Sequence, residues 1–182
     1  IRLLRERPES VYIPDALVNI GEYFFAENDF ETALRFYVKV REQYPSSTVY
    51  GFAIYKSGWC FFNTGEYDRS LDAFLTVIKY SDSPEAKNNP ARIGLRSEAQ
   101  KDLVRAYSMT GNPDKALMFF RTVAADDFRN LGLILADLYN SQGEFGNAIK
   151  LYKYLIKDDP ESYEILKFQA RIVNAVYKQQ SK

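Results

Sequence analysis

The 182-residue chain carries 24 Lys or Arg against 24 Asp or Glu, so its formal net charge is zero; with no basic excess and no run of five like charges, nucleic acid is excluded as the first candidate partner. It has no His and one Cys, Cys60, which removes the commonest general base near neutral pH, the commonest metal ligand and any disulfide framework within the chain, so no cofactor or metal is expected. Hydrophobic residues at 46% and charged residues at 26% place it among folded chains with a buried core rather than disordered or fibrous ones.

No apolar run approaches the roughly 18 residues of a membrane-spanning helix. Aromatic residues reach 15%, with 14 Tyr, 13 Phe and one Trp, so large rings must fill gaps between elements or line a surface. The chain starts at Ile1 rather than Met and reads as a piece of a longer or processed protein, to which an upstream signal peptide or lipid anchor would be invisible.

Residues 1–12 read as the tail of a preceding element. Residues 14–47 form a first helix hairpin: Leu17, Ile20, Gly21 and Phe24 precede the turn Asn28-Asp29-Phe30, and Ala33, Tyr37 and Pro45 follow it. Residues 51–84 form a second, with Ile54, Gly58 and Phe61 before Gly65-Glu66-Tyr67, and Ser70, Phe74 and a displaced Pro84 after it. Residues 85–96 hold a surface loop and an extension of the next helix, which begins near Pro90 and runs longer than usual. Residues 97–128 form a third hairpin through Leu103, Val104, Tyr107, Gly111-Asn112-Pro113, Ala116 and Phe120, without a closing proline. Residues 129–160 form a fourth through Leu135, Ala136, Tyr139, Gly143-Glu144-Phe145, Ala148, Tyr152 and Pro160, and residues 161–180 a terminal helix.

The turns recur at intervals of 37, 46 and 32 residues, and a Pro-x-Ser joint precedes Tyr12, Tyr50 and Tyr163. Glycine, or asparagine that tolerates left-handed backbone, is what a helix end needs before the chain reverses. Small residues at Gly21, Gly58 and Ala136 permit close approach of two helices. Rings four residues after Ala33, Ser70, Ala116 and Ala148 plug the gaps between hairpins. A single hairpin cannot cover its apolar face, so stacking in series is the stable solution.

This pattern resembles the tetratricopeptide repeat, a 34-residue helix–turn–helix, and the resemblance covers nearly the whole chain. It implies an all-α fold: a right-handed superhelix, or α-solenoid, of antiparallel helix hairpins. It also implies that the first helix of each hairpin lines a concave groove that takes a protein or peptide partner. Positions advancing by three and four along those helices are then the candidate groove. The second hairpin contributes Phe52, Tyr55, Trp59 and Phe62, all aromatic; the first contributes Glu22 and Phe25, and the third Lys101 and Arg105. Either neighbouring repeats fill this stripe, or it accepts a partner segment with Trp59 as anchor. Self-association through the apolar stripe or the ends of the array is a third use. One subfamily clamps the C-terminal carboxylate of chaperones with Lys and Asn; the matching positions are Val18 and Glu22, so that clamp does not carry over.

Acid pairs such as Asp126-Asp127 and Asp158-Asp159 lie at helix ends, and no phosphate loop, nucleophile elbow or metal spacing is present, so no enzyme is expected. The stretch from Tyr44-Pro45-Ser46-Ser47 through Gly58-Trp59-Cys60 to Gly65-Glu66-Tyr67-Asp68 is similar to bacterial envelope proteins of this family, among them outer-membrane assembly lipoproteins and gliding-motility proteins. That narrower resemblance implies a scaffold in an envelope complex, in the periplasm or at the outer membrane. A cytoplasmic adaptor or regulatory domain is the alternative.

Overall fold

The computed structural model describes residues 9–87, 89 and 91–181, and every regular element among them is helical. The expected preceding helix over Ile1 to Arg7 and the start at Pro90 lie outside the described residues. The helices are α1 (Ile13–Ala26), α2 (Phe30–Gln43), α3 (Tyr50–Asn63), α4 (Tyr67–Ser81), α5 (Arg92–Thr110), α6 (Ala116–Val123), α7 (Phe128–Gln142), α8 (Phe145–Asp158) and α9 (Ile165–Gln180). Two compact units meet in sequence between Ala99 and Gln100.

Three hairpin turns share one backbone solution. Asn28, Gly65 and Gly143 adopt φ of 61°, 81° and 81°, the left-handed conformation that costs glycine nothing and asparagine little. The next N–H then reaches back to the end of the first helix: Asp29 to Phe24 O at 2.9 Å, Glu66 to Phe61 O at 2.8 Å and Glu144 to Tyr139 O at 2.8 Å. Carbonyls left open at the helix terminus are thereby satisfied, and the chain reverses within three residues. Asp29 also accepts the Thr32 N–H at 3.1 Å, which caps α2.

The third turn is built differently. Gly111 is absent from the positive-φ residues. The Asn112 side chain accepts the Asp114 N–H at 2.9 Å and starts a short 3₁₀ turn, Pro113–Lys115, while the Tyr107 hydroxyl donates to Asn112 O at 2.8 Å. The helix that follows, α6, has only eight residues.

In the first unit α1 packs on α2, α2 on α3 and α3 on α4. Leu17, Ala33, Tyr37, Val40, Ala53 and Cys60 are fully buried in one cluster. In the second unit α6, α7, α8 and α9 pack in succession, around Leu131, Leu135, Leu151, Tyr152 and Phe168. Asn89, within the insertion, is more anchored than a loop reading implies. Asn89 is 9% exposed, donates to Thr48 O at 2.7 Å and accepts the Ala91 N–H at 3.0 Å, which ties the insertion to the joint between the first two hairpins.

The spacing between paired helices is set by rings lying over missing side chains. A Cβ placed on Gly21 would come within 2.6 Å of Tyr37 Cε1, and one on Gly58 within 2.9 Å of Phe74 Cε1. Around Gly146, in the first turn of α8, nothing lies within 4 Å. One substitution should therefore act with opposite sign at two sites. Gly21→Ala is expected to destabilise by about 1–2 kcal/mol, overpacking outweighing the better helix propensity of Ala. Gly146→Ala should be neutral to stabilising by up to about 1 kcal/mol in the same urea titration. Ser70 occupies the place of Ala33, Ala116 and Ala148, and its buried hydroxyl oxygen has no hydrogen-bond partner. Ser70→Ala should accordingly raise the stability by about 1 kcal/mol, read as a higher urea midpoint.

Candidate functional site

The first unit brings the sequence-identified groove residues of the first two hairpins onto adjoining parts of α1 and α3, through a residue that the sequence reading passed over. Lys56, on α3 between Tyr55 and Trp59, has only 13% of its side chain exposed. Its ammonium sits 3.0 Å from Glu22 Oε1 and 3.7 Å above the ring of Phe25. Glu22 also accepts a hydrogen bond from the Tyr37 hydroxyl. Burial and the adjacent carboxylate push the Tyr37 phenol far above its ordinary range, so it stays a donor at any accessible pH. Three helices thus meet at one carboxylate: α1 supplies the acid, α2 the phenol and α3 the cation. Cys60 lies in the same core with no exposure, and burial pushes its thiol up to about 12. It is therefore protonated and unreactive at neutral pH.

Along α3 the aromatic stripe is half-buried at Phe52, Tyr55, Trp59 and Phe62. The rings form a connected series. Phe52 and Tyr55 have centroids 6.4 Å apart, Trp59 and Phe62 5.5 Å, and Phe62 and Tyr67 5.4 Å. Tyr55 and Trp59 both reach Phe74 of α4, at 5.7 Å and 5.9 Å. These contacts hold the rings in place from below and leave part of each surface facing outward. The stripe is rigid, apolar and polar-edged, an arrangement suited to receiving apolar side chains.

Lys101 and Arg105 belong to the second unit, where both are exposed on α5 and Arg105 lies 3.9 Å from Asp102. That unit carries the same three-way joint as the first. Tyr152 of α8 donates to Asp137 of α7 at 2.7 Å, and Arg171 of α9 approaches Asp137 at 3.1 Å. In both units the phenol follows the acid by 15 residues, and the cation follows the phenol by 19. The spacing was present in the sequence, but the three partners lie on different helices and no local pattern joins them. The paired acids have structural roles too. Asp158 is bridged by Arg121 at 2.5 Å and Arg129 at 2.8 Å, and among the described residues no group of three acidic or Cys side chains is placed to hold a metal.

The two joints give a matched experiment. Tyr37→Phe and Tyr152→Phe each remove one hydroxyl from a fully buried ring and leave a carboxylate with its cation. Each should cost about 1–2 kcal/mol in denaturant unfolding, as expected for a hydrogen bond to a charged group.

No curated protein sequence matches the chain. Among solved structures it is similar to the crystal structure of a thermophilic TPR protein from Thermus thermophilus, at 16% identity over 90% of this chain and 99% of that one, with a TM-score of 0.31. The sequence model of the tetratricopeptide repeat matches residues 15–47, 52–83 and 132–162. These are the first, second and fourth hairpins, the three that close through a left-handed residue. Because they make up more than half of the chain, the protein belongs to the tetratricopeptide repeat family, whose members are generally non-catalytic interaction modules.

Proposed function

We propose that this protein is a scaffold that binds a segment of a partner protein across the exposed side of α3, with Trp59 as the central anchor. The observation that carries this reading is the apolar excess of α3. Its packing needs are met by Ala53, Ile54, Ser57, Gly58, Cys60 and Phe61, all buried, yet the remaining face presents four more aromatic rings. Rings held by their neighbours lose little entropy on binding, which makes Trp and Tyr effective anchors. Phe25 and the bridged Lys56 border the stripe, so the fitting partner is an amphipathic helix or extended segment with two or three large apolar side chains. Lys101 and Arg105, exposed on the second unit, are proposed by themselves as a contact for an acidic group of a partner. Opposite charges there would raise the association rate more than the affinity.

The setting we propose is a multiprotein complex of a bacterial envelope, supported by the likeness of the stretch from Tyr44 to Asp68 to envelope proteins of this family. A cytoplasmic adaptor is the competing setting. Fractionation of the native cells with an antibody to the protein separates the two, since recovery in the cytosol alone would overturn the envelope assignment.

The binding reading is tested at Trp59. Because that ring is half-buried, Trp59→Ala should cost about 2 kcal/mol of stability, below the roughly 3–5 kcal/mol of a fully buried aromatic. Trp59→Phe should keep the contacts with Phe62 and Phe74 and most of that stability. Partners recovered by affinity capture should bind the Ala variant at least about tenfold more weakly, roughly 1.4 kcal/mol. Capture unaffected by Trp59→Ala, in protein shown by circular dichroism to be folded, would refute the assignment of α3 as the binding face.

A further inference from the structure

We infer that the cleft between the α2–α3 joint and the insertion after α4 is a second binding site, which takes a basic side chain, guanidinium or ammonium, of a partner protein. The cleft lies wholly within the first unit. It uses Tyr50 and Ile54 of α3 rather than the aromatic stripe, so it does not depend on partner binding at Trp59. Two chambers adjoin there. The first, of about 430 Å³, has Pro45, Ser47, Thr48, Tyr80, Glu85 and Asn89 among its lining residues. The second, of about 410 Å³, shares Pro45, Tyr80 and Glu85 and adds Tyr50, Ile54 and Lys79. Each is within the size range of small-ligand sites.

Both walls are in place before any ligand arrives. On one side the Tyr80 ring stands edge-on to Tyr50, with centroids 5.0 Å apart. The same ring lies against Gly51, where an added Cβ would come within 2.7 Å of its Cε1. On the other side Asn89 ties the insertion to the joint, donating to Thr48 O at 2.7 Å and accepting the Ala91 N–H at 3.0 Å. Asn89 is nearly buried, so widening the cleft would break a hydrogen bond that water does not readily replace. A cavity held in this way spends little of its binding energy on ordering itself.

The chemistry of the first chamber selects the ligand. Glu85 is the one charged side chain among the described residues that line it, and a glutamate is ionised at neutral pH. Ser47 adds a hydroxyl oxygen that is shut off from solvent and has no hydrogen-bond partner; a step between χ1 wells turns it to the chamber. An anion is repelled by Glu85. A neutral sugar can stack on the tyrosine ring, but it would cover the carboxylate without supplying a counter-charge. A guanidinium or ammonium meets each demand at once: a charge for Glu85, donors for the Ser47 and Thr48 hydroxyls, and a cation for the Tyr80 ring. Its carbon stem packs along Pro45 and Tyr80, as the stems of Lys and Arg do on apolar surface. The one basic residue of the cleft, Lys79, lines the second chamber, whose Tyr50, Ile54 and Tyr80 suit an apolar residue next to the basic one. The fitting segment is therefore a basic–apolar pair.

The test is a nuclear magnetic resonance titration of the isotope-labelled 182-residue chain with acetyl-Gly-Arg-Leu-Gly-amide and with its glutamine-for-arginine analogue, up to about 10 mM. The expected result is saturable shifts of the Ser47, Tyr80 and Glu85 amides, with a dissociation constant of about 1 mM or tighter. The glutamine analogue should bind at least about fivefold more weakly, and added salt should weaken the arginine peptide alone. Glu85 is exposed, so Glu85→Gln should leave the circular dichroism unchanged and weaken the arginine peptide about tenfold. Absence of saturable shifts at these three residues overturns the inference. So does equal binding of the glutamine analogue, or a folded Glu85→Gln chain that binds undiminished. Butylamine binding there as tightly as the peptide would overturn the assignment to a protein partner, leaving a site for small amines.

Discussion

The close approach of the two helices in the first, second and fourth hairpins is the constraint on which the rest of the structure depends. It exists because a large ring on the second helix lies against a residue of the first with little or no side chain. Tyr37 lies on Gly21 and Phe74 on Gly58; Tyr152 is fully buried and reaches back to Asp137, next to Ala136. Where the ring is a tyrosine, its hydroxyl must be satisfied inside the core. The residue that satisfies it is the acid immediately after the small residue, Glu22 or Asp137, and a cation from the next helix then neutralises the acid. Close packing therefore requires the ring, a tyrosine ring requires the acid, and the acid requires Lys56 or Arg171.

The same logic explains why the second hairpin is the candidate binding element. Its ring is Phe74, which has no hydroxyl to satisfy. The position that holds an acid in the first and fourth hairpins, 15 residues before the ring, holds Trp59 instead, and the two rings meet at 5.9 Å. In the third hairpin Phe120 is likewise preceded by Arg105 rather than an acid. Without a hydroxyl to satisfy, this position need not carry an acid, and in the second hairpin it holds an aromatic ring.

Most of the fold was legible because its signals are local and repeated. Helix periodicity, Asn28, Gly65 and Gly143 at the turns, and rings at fixed distance from small residues all act within one hairpin. The third hairpin was legible in its core positions but not in its turn. Gly111 carries the right residue type, yet Asn112 and Pro113 impose a side-chain cap and a 3₁₀ start that glycine alone does not reveal. The insertion read as an open loop because the anchoring bond from Asn89 reaches 41 residues back to Thr48, a distance over which composition carries no signal. At the candidate site the rings were legible from excess apolarity. Lys56 was not, since its role depends on Glu22 and Phe25 from another helix, and an isolated lysine is most often solvated.

The correspondence between α1–α3 and α7–α9 shows how one design yields two different surfaces. Turns, joint and polar network are kept at an offset of 115 residues, with helix starts at Phe128, Phe145 and Ile165 against Ile13, Phe30 and Tyr50, so the backbone requirement of the hairpins is met twice in the same way. What changes is the outer side of the last helix in each set. On α3 the glycines admit α4 and the aromatic face is left outward, whereas on α9 Leu166 and Val173 replace the glycines and Asn174 replaces Trp59. The inner faces of α3 and α9 are constrained by packing and are alike; their outer faces carry no such constraint, and there the two helices differ.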